Sequence, residues 1–230
     1  MGIPQFARET QHRDRELLRR MGEKVRRRLS ANKAVQRIPV DQAELWAVAD
    51  FFTAAECARL IPLIDQAAEP STTYDMAVEE RFRTSYSGTL DPNGPFVRGL
   101  RRRIDQLLGI DRAHGEALQG QRYNAGQYFK SHTDWFQSNA RGWAHEKDNG
   151  GQRAITAMVY LNDVNDGGET DFPRLDIAIA PRTGTLLAWN NADTEGVPNP
   201  YVVHAGNPVG SGLKYVVTRW YRVKPTLQLG

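Results

Sequence analysis

The segment Phe129-Lys130-Ser131-His132-Thr133-Asp134-Trp135-Phe136 (FKSHTDWF) places a histidine and an aspartate two positions apart, between aromatic residues. In a β-strand, residues i and i+2 project from the same face, so His132 and Asp134 are predicted to point together into whatever that face covers. Imidazole and carboxylate groups both bind metals. A His-x-Asp triplet is also compatible with a solvated polar pair on a strand, so the rest of the chain must decide between the two interpretations.

The sequence around and beyond this triplet predicts a mainly β fold. Short strand-like runs alternate with turn residues such as Gly150-Gly151 and Arg182-Thr183-Gly184. The predicted strands are Gln121–Phe136, Ala154–Leu161, Ile177–Ala180, Thr185–Trp189, Tyr201–His204 and Tyr215–Tyr221. Short strands at this spacing favour an antiparallel sandwich or barrel, and no G-x-G-x-x-G or P-loop motif suggests a nucleotide-binding sheet.

Two helices are predicted ahead of the strands. The first runs over about Thr53–Ala68, because Thr53 and Glu56 have the spacing of a capping box. The second runs over about Pro95–Leu108, with a proline in its first turn and Gly109 just past its end. Cys57 is the one cysteine, can form no intrachain disulfide, and is expected to be a small buried residue of the first helix.

Composition places the chain among soluble globular proteins. Its 230 residues are 40% hydrophobic and 25% charged, and a chain of this length can bury a sizeable core. No apolar run is long enough to span a bilayer, and the N-terminus lacks the apolar core of a secretory signal. We therefore expect a cytoplasmic location and no membrane partner.

The net charge of +3 is unevenly distributed along the chain. Residues 1–37 contain eleven Lys or Arg against four Asp or Glu, whereas the remaining residues contain 19 against 23. Within this basic arm, Leu17, Met21, Val25 and Leu29 repeat every four residues and form one apolar stripe on a charged helix. The stripe is expected to pack on its own domain or on a partner chain, which permits a homodimer. The arm alone would suit an acidic surface or nucleic acid, but the acidic remainder shows no obvious cationic groove and argues against a nucleic-acid partner.

A third candidate metal ligand, His204, ends the apolar run Tyr201–His204. Lys214 follows ten residues later, across a Gly- and Pro-rich turn, so hairpin pairing is expected to bring it beside the strand that carries His204. A lysine inside an apolar strand pair is costly unless it meets an anion. Two imidazoles and one carboxylate form the facial triad of non-haem Fe(II) oxygenases, and the lysine suggests an acidic cosubstrate.

These residues resemble the Fe(II)- and 2-oxoglutarate-dependent dioxygenases, and within them the prolyl 4-hydroxylase branch. The resemblance runs from about Arg83-Thr84-Ser85 to Trp220. Its most specific segments are Gln121-Arg122-Tyr123, His132-x-Asp134, Arg153-Ala154-Ile155-Thr156, Tyr160-Leu161-Asn162-Asp163, Gly167-Gly168-Glu169-Thr170-Asp171-Phe172-Pro173, Pro181-Arg182-Thr183-Gly184-Thr185-Leu186 and His204-Ala205-Gly206-Asn207-Pro208-Val209 with Lys214. The order and spacing of these segments make the ensemble far more specific than the His-x-Asp triplet.

The resemblance implies a role for each of eight residues. His132, Asp134 and His204 are expected to bind iron and form the catalytic centre. Lys214 is expected to pair with the distal carboxylate of 2-oxoglutarate, and Tyr123 and Thr170 to donate hydrogen bonds to the same group. Arg153 and Trp220 are expected near the substrate, although an ordinary strand-end ion pair for Arg153 and a core position for Trp220 stay open.

The resemblance also implies the fold and the reaction. We expect a mainly β domain with N-terminal helices (α+β), built on a double-stranded β-helix, or jelly-roll, core. The expected activity is hydroxylation of an unactivated C–H, most simply of peptidyl proline, coupled to decarboxylation of 2-oxoglutarate to succinate with O2, Fe(II) and ascorbate as reductant. Two alternatives stay open: a hydroxylase of a free amino acid or small metabolite, and a non-enzymatic jelly-roll binding module whose basic arm contacts nucleic acid.

The domain organisation follows from the same evidence. We predict a basic helical arm over residues 1–37 and a dioxygenase domain over 38–230, with helical support over 38–115 and the jelly-roll core over 116–224. Two variable segments, the lid-like region Thr72–Gly94 and the insert Gln137–Gly150, are expected to carry substrate specificity, because binding residues concentrate on loops held by a rigid scaffold. A peptide or protein substrate is the expected partner.

Overall fold

A computed structural model describes residues 12–71, 82–137 and 142–226 of the chain. Its α-helices are α1 (His12–Ser30), α2 (Ala54–Ala67), α3 (Pro95–Leu108) and α4 (Trp143–Asp148). Its strands are β1 (Gln36–Arg37), β2 (Leu45–Val48), β3 (Glu69–Pro70), β4 (Tyr86–Thr89), β5 (Gln119–Asn124), β6 (Phe129–His132), β7 (Arg153–Tyr160), β8 (Thr170–Phe172), β9 (Ile177–Ile179), β10 (Leu186–Asn190), β11 (His204–Gly206) and β12 (Leu213–Arg222). Two short 3-10 turns span Arg112–His114 and Pro200–Val202.

The strands form two antiparallel sheets that face each other. The larger sheet has the order β1-β2-β10-β7-β12-β5-β4-β3, and the smaller has the order β6-β11-β8-β9. From β5 onward the chain passes back and forth between the two sheets, and β8 and β9 are the one consecutive pair within a single sheet. This is the winding of a double-stranded β-helix. The predicted fold, mainly β with N-terminal helices, is confirmed.

The middle of the larger sheet is buried on both faces. Along β10, Leu186 and Ala188 pack into the core on the helical side, whereas Leu187 and Trp189 point toward the smaller sheet. In β7, Val159 packs on the helical side, whereas Tyr160 points toward the smaller sheet. Alternation of side chains along a strand explains why the middle of this sheet reads as a continuous apolar run.

Helices α2 and α3 lie where the sequence predicts them. Thr53 caps α2, and its backbone N–H donates in return to Glu56, which completes the capping box. Helix α3 starts at Pro95 and ends before Gly109, which has the left-handed φ of 68°. Cys57 is fully buried in α2, and burial raises the pKa of its thiol to about 11. No helix of the described ranges is both long and apolar enough to cross a bilayer.

Helix α1 packs its apolar stripe against the chain's own core, which is one of the two arrangements expected. Leu18, Val25 and Leu29 are buried in the same cluster as α2 and α3. Leu17 and Met21 are only partly buried against that cluster, so Leu18 lies at the centre of the contact instead of Leu17. A homodimer through this helix and the predicted domain boundaries both stay predictions.

The structure corrects several predicted strands. Gln121–Phe136 is two strands, β5 and β6, which belong to different sheets. The first two residues of the predicted strand Tyr201–His204 belong to the 3-10 turn Pro200–Val202, and β11 begins at His204. Strands β2 and β8 were not predicted, because four- and three-residue runs have too few side chains to show alternation.

The predicted hairpin between the strands of His204 and Lys214 is wrong. Strand β11 pairs with β6 and β8, whereas β12 pairs with β5 and β7. The turn between β11 and β12 therefore crosses from one sheet to the other. Lys214 faces the strand of His204 across the sandwich instead of pairing with it.

The two predicted specificity segments are only partly described. Residues 72–81 of the lid-like region and residues 138–141 of the insert lie outside the described ranges. The rest of the lid-like region contains β4, which pairs with β5. The rest of the insert contains α4, whose Glu146 is buried and accepts a 2.6 Å hydrogen bond from Arg222.

Candidate metal and cosubstrate site

Neighbouring strands of the smaller sheet bring the predicted metal ligands together. Strands β6 and β11 are paired so that His132 lies opposite His204, and Asp134 follows two residues after the end of β6. One ligand atom from each of the three residues lies within 4.8 Å of the other two. Within the described ranges, no other group of His, Cys, Asp or Glu side chains comes together in a geometry suited to a metal ion.

Backbone carbonyls fix the orientation of both imidazoles. Nδ1 of His132 lies 2.9 Å from the carbonyl oxygen of Lys130, and Nδ1 of His204 lies 3.0 Å from that of Val202. A carbonyl can only accept, so each Nδ1 carries the proton and each Nε2 has its lone pair free. Carbonyl partners of this kind are typical of histidines that bind a metal through Nε2.

A buried hydrogen-bond chain holds the carboxylate. The Thr156 hydroxyl donates to Oδ2 of Asp134 at 2.7 Å, and the Asn191 side-chain amide donates to the Thr156 hydroxyl at 2.9 Å. Thr156 and Asn191 are both buried. The chain restricts rotation of the Asp134 carboxyl group and leaves Oδ1 free.

The surroundings favour the protonation states that a metal requires. Burial and the neighbouring His204 lower the pKa of His132 to about 3, so its imidazole is neutral at physiological pH. Burial by itself would raise the pKa of Asp134, but His204, His132 and Arg153 outweigh burial and lower it. A neutral imidazole and an ionised carboxylate are the forms that bind a divalent cation.

The donor set fits iron. Two imidazole nitrogens and one carboxylate on one side of a pocket form the 2-His-1-carboxylate arrangement of non-haem Fe(II) oxygenases, which leaves coordination positions open for other ligands. The pocket has a volume of about 280 Å³. Its walls include all eight residues singled out from the sequence: Tyr123, His132, Asp134, Arg153, Thr170, His204, Lys214 and Trp220.

Lys214 places a buried cation on the wall of this pocket opposite the metal ligands. It lies in β12 opposite Tyr123 of β5, and it is 2% exposed. Its Nζ lies 5.2 Å from the centre of the Tyr123 ring and forms no ion pair with any described residue. Burial lowers its pKa to about 8, although Glu169 acts in the opposite direction. An unpaired buried ammonium is costly, so this position fits an anionic ligand.

Hydroxyl groups flank Lys214. The Tyr123 hydroxyl donates to Oε1 of Gln121 at 3.0 Å, and the Tyr160 hydroxyl donates to Oγ1 of Thr170 at 2.7 Å. Each bond leaves further hydrogen-bonding capacity on the Tyr123 and Thr170 oxygens. Tyr123 and Thr170 therefore reach the same end of the pocket as the buried ammonium, as the resemblance implies.

Arg153 and Trp220 line the pocket side by side. The Arg153 guanidinium forms a two-point ion pair with Glu116, at 2.7 and 2.8 Å, and lies 4.0 Å from the centre of a Trp220 ring. The ion pair expected of a strand-end arginine is thus present, and the same side chain also faces the pocket. Nε1 of Trp220 is buried without a hydrogen-bond partner in the structure, so it can donate to a ligand.

Four further residues of the site were not singled out from the sequence. Thr156 and Asn191 hold Asp134, and Glu116 holds Arg153. Arg83 lines the pocket over Phe129, with its Nη2 buried and unpartnered. Thr156 and Arg83 lie inside segments that carry the family resemblance, which was the one available signal, whereas Glu116 and Asn191 lie outside those segments.

Two of the three remaining histidines, His114 and His145, lie away from the site, as predicted. Nδ1 of His114 bonds to the carbonyl oxygen of Arg222 at 2.9 Å, and His145 lies beside Glu146 on α4. Neither belongs to the metal-ligand group. The position of the His12 side chain lies outside the described part of the chain.

Comparison with known proteins agrees with this geometry. The sequence pattern of the 2OG-Fe(II) oxygenase superfamily matches residues 118–222. "Probable prolyl 4-hydroxylase 10" of Arabidopsis thaliana is 32% identical over 199 residues, which cover 76% of this chain and 67% of the relative. "Prolyl 4-hydroxylase 2" of the same plant is 32% identical over 203 residues, which cover 75% of this chain and 65% of the relative. The chain thus spans about two thirds of the length of these relatives.

A solved structure extends the similarity to the fold. The viral collagen prolyl hydroxylase of Paramecium Bursaria Chlorella virus-1, solved as a 2OG complex, superimposes with a TM-score of 0.61 at 26% identity, covering 84% of this chain and 97% of the viral one. The chain belongs to the 2OG-Fe(II) oxygenase superfamily, in the branch that contains the prolyl 4-hydroxylases.

Proposed function

We propose that this chain is an Fe(II)- and 2-oxoglutarate-dependent dioxygenase that hydroxylates peptidyl proline. One observation carries the proposal: a pair of imidazoles and a carboxylate within 4.8 Å of one another share a pocket with a buried lysine that has no ion-pair partner among the described residues. A binding module would need neither an open metal centre nor a buried cation. The pocket combines both.

In this proposal His132, Asp134 and His204 hold the iron. When bound, Fe(II) with 2-oxoglutarate and O2 supplies the oxidising chemistry, whose products are succinate, carbon dioxide and a hydroxylated substrate. The protein contributes position: carbonyls orient the two imidazoles, and Thr156 orients the carboxylate. Pre-organised ligands reduce the entropy lost when the metal and cosubstrate bind.

Lys214 anchors the distal carboxylate of 2-oxoglutarate. Its ammonium supplies the charge, and the Thr170 hydroxyl can donate a directed hydrogen bond at the same end of the pocket. The Tyr123 hydroxyl can donate a second one when it turns away from Gln121. A carboxylate at this point would be held by charge-assisted hydrogen bonds in a site that excludes most water. The cosubstrate would then extend from Lys214 toward the metal ligands on the facing sheet.

Two observations support peptidyl proline as the substrate. Two plant relatives that are 32% identical to this chain are named as prolyl 4-hydroxylases. The pocket wall also contains a stacked pair, Arg153 and Trp220, that offers a flat apolar surface beside hydrogen-bond donors, which suits a proline ring and its neighbouring carbonyls. A free amino acid or small metabolite is the alternative on the same scaffold. Ascorbate as reductant and a cytoplasmic location also belong to the proposal.

The substrate is tested by incubating the full chain with Fe(II), 2-oxoglutarate and ascorbate together with proline-containing peptides. The proposal predicts a mass gain of one oxygen atom on a proline residue. Matched peptides with alanine at each proline, and the Asp134→Ala variant, provide the controls. Oxygen incorporation into free proline or another free amino acid, with no gain on any peptide, would favour the small-metabolite alternative instead.

A further inference from the structure

Two large clefts on the described surface lie away from the active site, between α1 and α3. One has a volume of about 1130 Å³ and the other about 730 Å³. They share Lys24, Arg28 and two residues at the end of α3, so Lys24 and Arg28 form a ridge between them. Neither cleft contains a residue of the metal and cosubstrate pocket. We call their combined lining the α1–α3 basic surface.

This surface concentrates positive charge. Its cationic residues are Arg20, Lys24, Arg27, Arg28, Lys33, Arg98, Arg101, Arg102, Arg103 and Arg112, against the acidic residues Glu23, Asp105 and Asp111. The excess of seven positive charges exceeds the net charge of the whole chain, which is +3. Asp105 is already paired with Arg219, which lies outside the clefts, and Asp111 caps a 3-10 turn.

The expectation that the body of the chain has no cationic groove is therefore wrong. Arg98, Arg101 and Arg102 project from one side of α3, because residues three and four apart share a helix face. The packing of α1 against α3 then adds the basic residues of the arm to the same surface. This addition depends on tertiary structure, so it cannot be inferred from the separate net charges of residues 1–37 and of the remaining residues.

Several of these cations lack a counter-ion. Lys24, Arg27, Arg98 and Arg102 are exposed and form no ion pair with any residue in the described ranges. Like charges one helical turn apart destabilise a helix, so Arg98 and Arg102 repel each other. The surface would therefore be stabilised by an anion that binds several of these residues at once.

Arg101 gives an independent indication of a missing ligand. Its Nε is buried without a hydrogen-bond partner, although the side chain lines the smaller cleft. Burial and the positive charge of Arg219 both lower the pKa of its guanidinium. An anion in the cleft would offset the repulsion between the Arg101 and Arg219 guanidinium groups.

The rigidity of the ridge favours binding. Arg28 donates from Nε to the carbonyl oxygens of Gln106 and Leu107 at the end of α3, at 2.9 and 3.0 Å. These bonds fix α1 to α3. Within α1, the helix itself holds Lys24 and Arg28 one turn apart, about 6 Å along its axis. A partner therefore meets a preformed row of cations.

The composition of the lining distinguishes between an acidic protein and a nucleic acid as the bound polyanion. The centres of protein–protein interfaces are depleted in charged residues and carry aromatic anchors. Here the cations are central and the apolar residues of the lining are few: Ala31, Phe51, Pro92, Leu107 and Ile110. Protein–nucleic acid interfaces are more polar and much more positively charged.

We propose that the α1–α3 basic surface binds the phosphodiester backbone of a nucleic acid without reading its sequence. Eight of the ten cations are arginines, whose planar guanidinium groups match phosphate oxygens in pairs. The proposal does not depend on the hydroxylase function, because the two sites share no residue. It gives the molecule a second binding surface in addition to its active site.

Fluorescence anisotropy of the full chain tests the proposal, with fluorescein-labelled mixed-sequence single-stranded RNA and duplex DNA as probes. We expect binding that weakens steeply between about 50 and 200 mM salt. The double variant Lys24→Ala with Arg102→Ala should lower the slope of log affinity against log salt by about two. The charge reversals Lys24→Glu and Arg102→Glu should together weaken binding by about tenfold or more. Truncation of the arm is unsuitable, because it would remove buried Leu18, Val25 and Leu29.

The matched control reverses two exposed arginines outside both clefts, Arg174→Glu and Arg182→Glu, and should leave binding unchanged. Circular dichroism checks that each variant is folded. Binding of either probe supports the proposal, and the tighter probe identifies the class of nucleic acid. Three results would overturn it: no binding at about 50 mM salt, equal loss in the control variant, or displacement of the probe by poly-glutamate more readily than by an unlabelled oligonucleotide of equal charge.

Discussion

Lys214 combines deep burial with the lack of an ion-pair partner among the described residues, and this combination ties it to an acidic cosubstrate. The Lys214→Met variant keeps the bulk of the side chain and removes its charge. We expect it to weaken 2-oxoglutarate binding by about 2–5 kcal/mol, because the carboxylate would lose its buried partner. Affinity for the metal should not change. Anaerobic calorimetric titration of the metal-loaded enzyme measures the first effect, and titration with metal alone measures the second.

Lys147→Met is the matched control for this variant, since Lys147 is exposed on α4. It should leave both affinities unchanged. Loss of the buried ammonium should not unfold the protein, because burial of an unpaired charge costs stability. An equal loss of metal and 2-oxoglutarate binding in Lys214→Met would contradict the anchoring role.

The same residue predicts a pH dependence. Burial lowers the pKa of Lys214 to about 8, so in the absence of ligand its side chain is a cation below this pH and becomes neutral above it. A bound carboxylate requires the cation. The affinity for 2-oxoglutarate should therefore be nearly constant below pH 8 and fall as the pH rises above 8. Titrations on both sides of pH 8 test this, and the Lys214→Met variant should lack the decrease. A decrease of the same size in that variant would assign it to another group.

Thr156 is a positioning residue for the metal centre. Thr156→Val has nearly the same shape but removes the 2.7 Å hydrogen bond to Asp134, and it leaves the Asn191 amide without its acceptor. We expect metal affinity to fall by about 10- to 100-fold, and Thr156→Ser to restore most of it. Equilibrium binding of Mn(II) or Co(II) measures the change without any turnover. Equal affinities in the Val and Ser variants would show that the hydroxyl plays no part.

The metal ligands were predictable from the sequence, but the residues that orient them were not. Strand alternation predicted that His132 and Asp134 would point the same way, although Asp134 lies two residues past the end of β6, and His204 with Lys214 completed a known site pattern. Glu116 and Asn191 touch the site only through tertiary contacts with Arg153 and Thr156, respectively. No local pattern marks such residues, because their partners are distant along the chain.

Among the elements, helices were predicted more accurately than strands. Helices α2 and α3 carry their start and stop signals within their own sequence, in the capping box of Thr53 and in Pro95 and Gly109. The pairing of β11 with β6, by contrast, joins residues about seventy positions apart. The predicted hairpin of His204 and Lys214 failed because proximity along the chain favours local pairing, whereas the jelly-roll topology sends β11 and β12 to different sheets.

Helix α1 is expected to contribute to stability, although it belongs to the basic arm. Leu18 is 1% exposed in the shared core, so Leu18→Ala should lower the free energy of unfolding by about 2–5 kcal/mol. Leu17→Ala, at a partly buried position on the same helix, should cost less. Urea unfolding followed by circular dichroism measures both changes. Equally small changes in the two variants would indicate that α1 does not dock as described.

At the scale of the whole molecule, the two sheets divide the chemistry between them. The smaller sheet carries His132 and His204, and the larger sheet carries Tyr123 and Lys214. The gap between the sheets thus becomes a pocket with the proposed metal ligands on one wall and the proposed cationic anchor on the other. The α1–α3 basic surface shares no lining residue with this pocket.

The overall fold was predictable because many short strands with regular turns allow few architectures. The α1–α3 basic surface was not, because it forms only when two helices far apart in the sequence pack together. The charge totals of the segments concealed it. The clustering of cations on this surface could therefore be recognised only in the folded structure.

The measurement that tests the central claim most directly is succinate formation in a single oxygen pulse. The full chain is loaded with Fe(II) and 2-oxoglutarate under anaerobic conditions, oxygen is admitted, and succinate is quantified. The His132, Asp134 and His204 assignment predicts succinate from the unmodified chain and none above background from His132→Ala or Asp134→Ala, both of which should also lose bound iron. Undiminished iron binding and succinate formation in either variant would contradict the assignment.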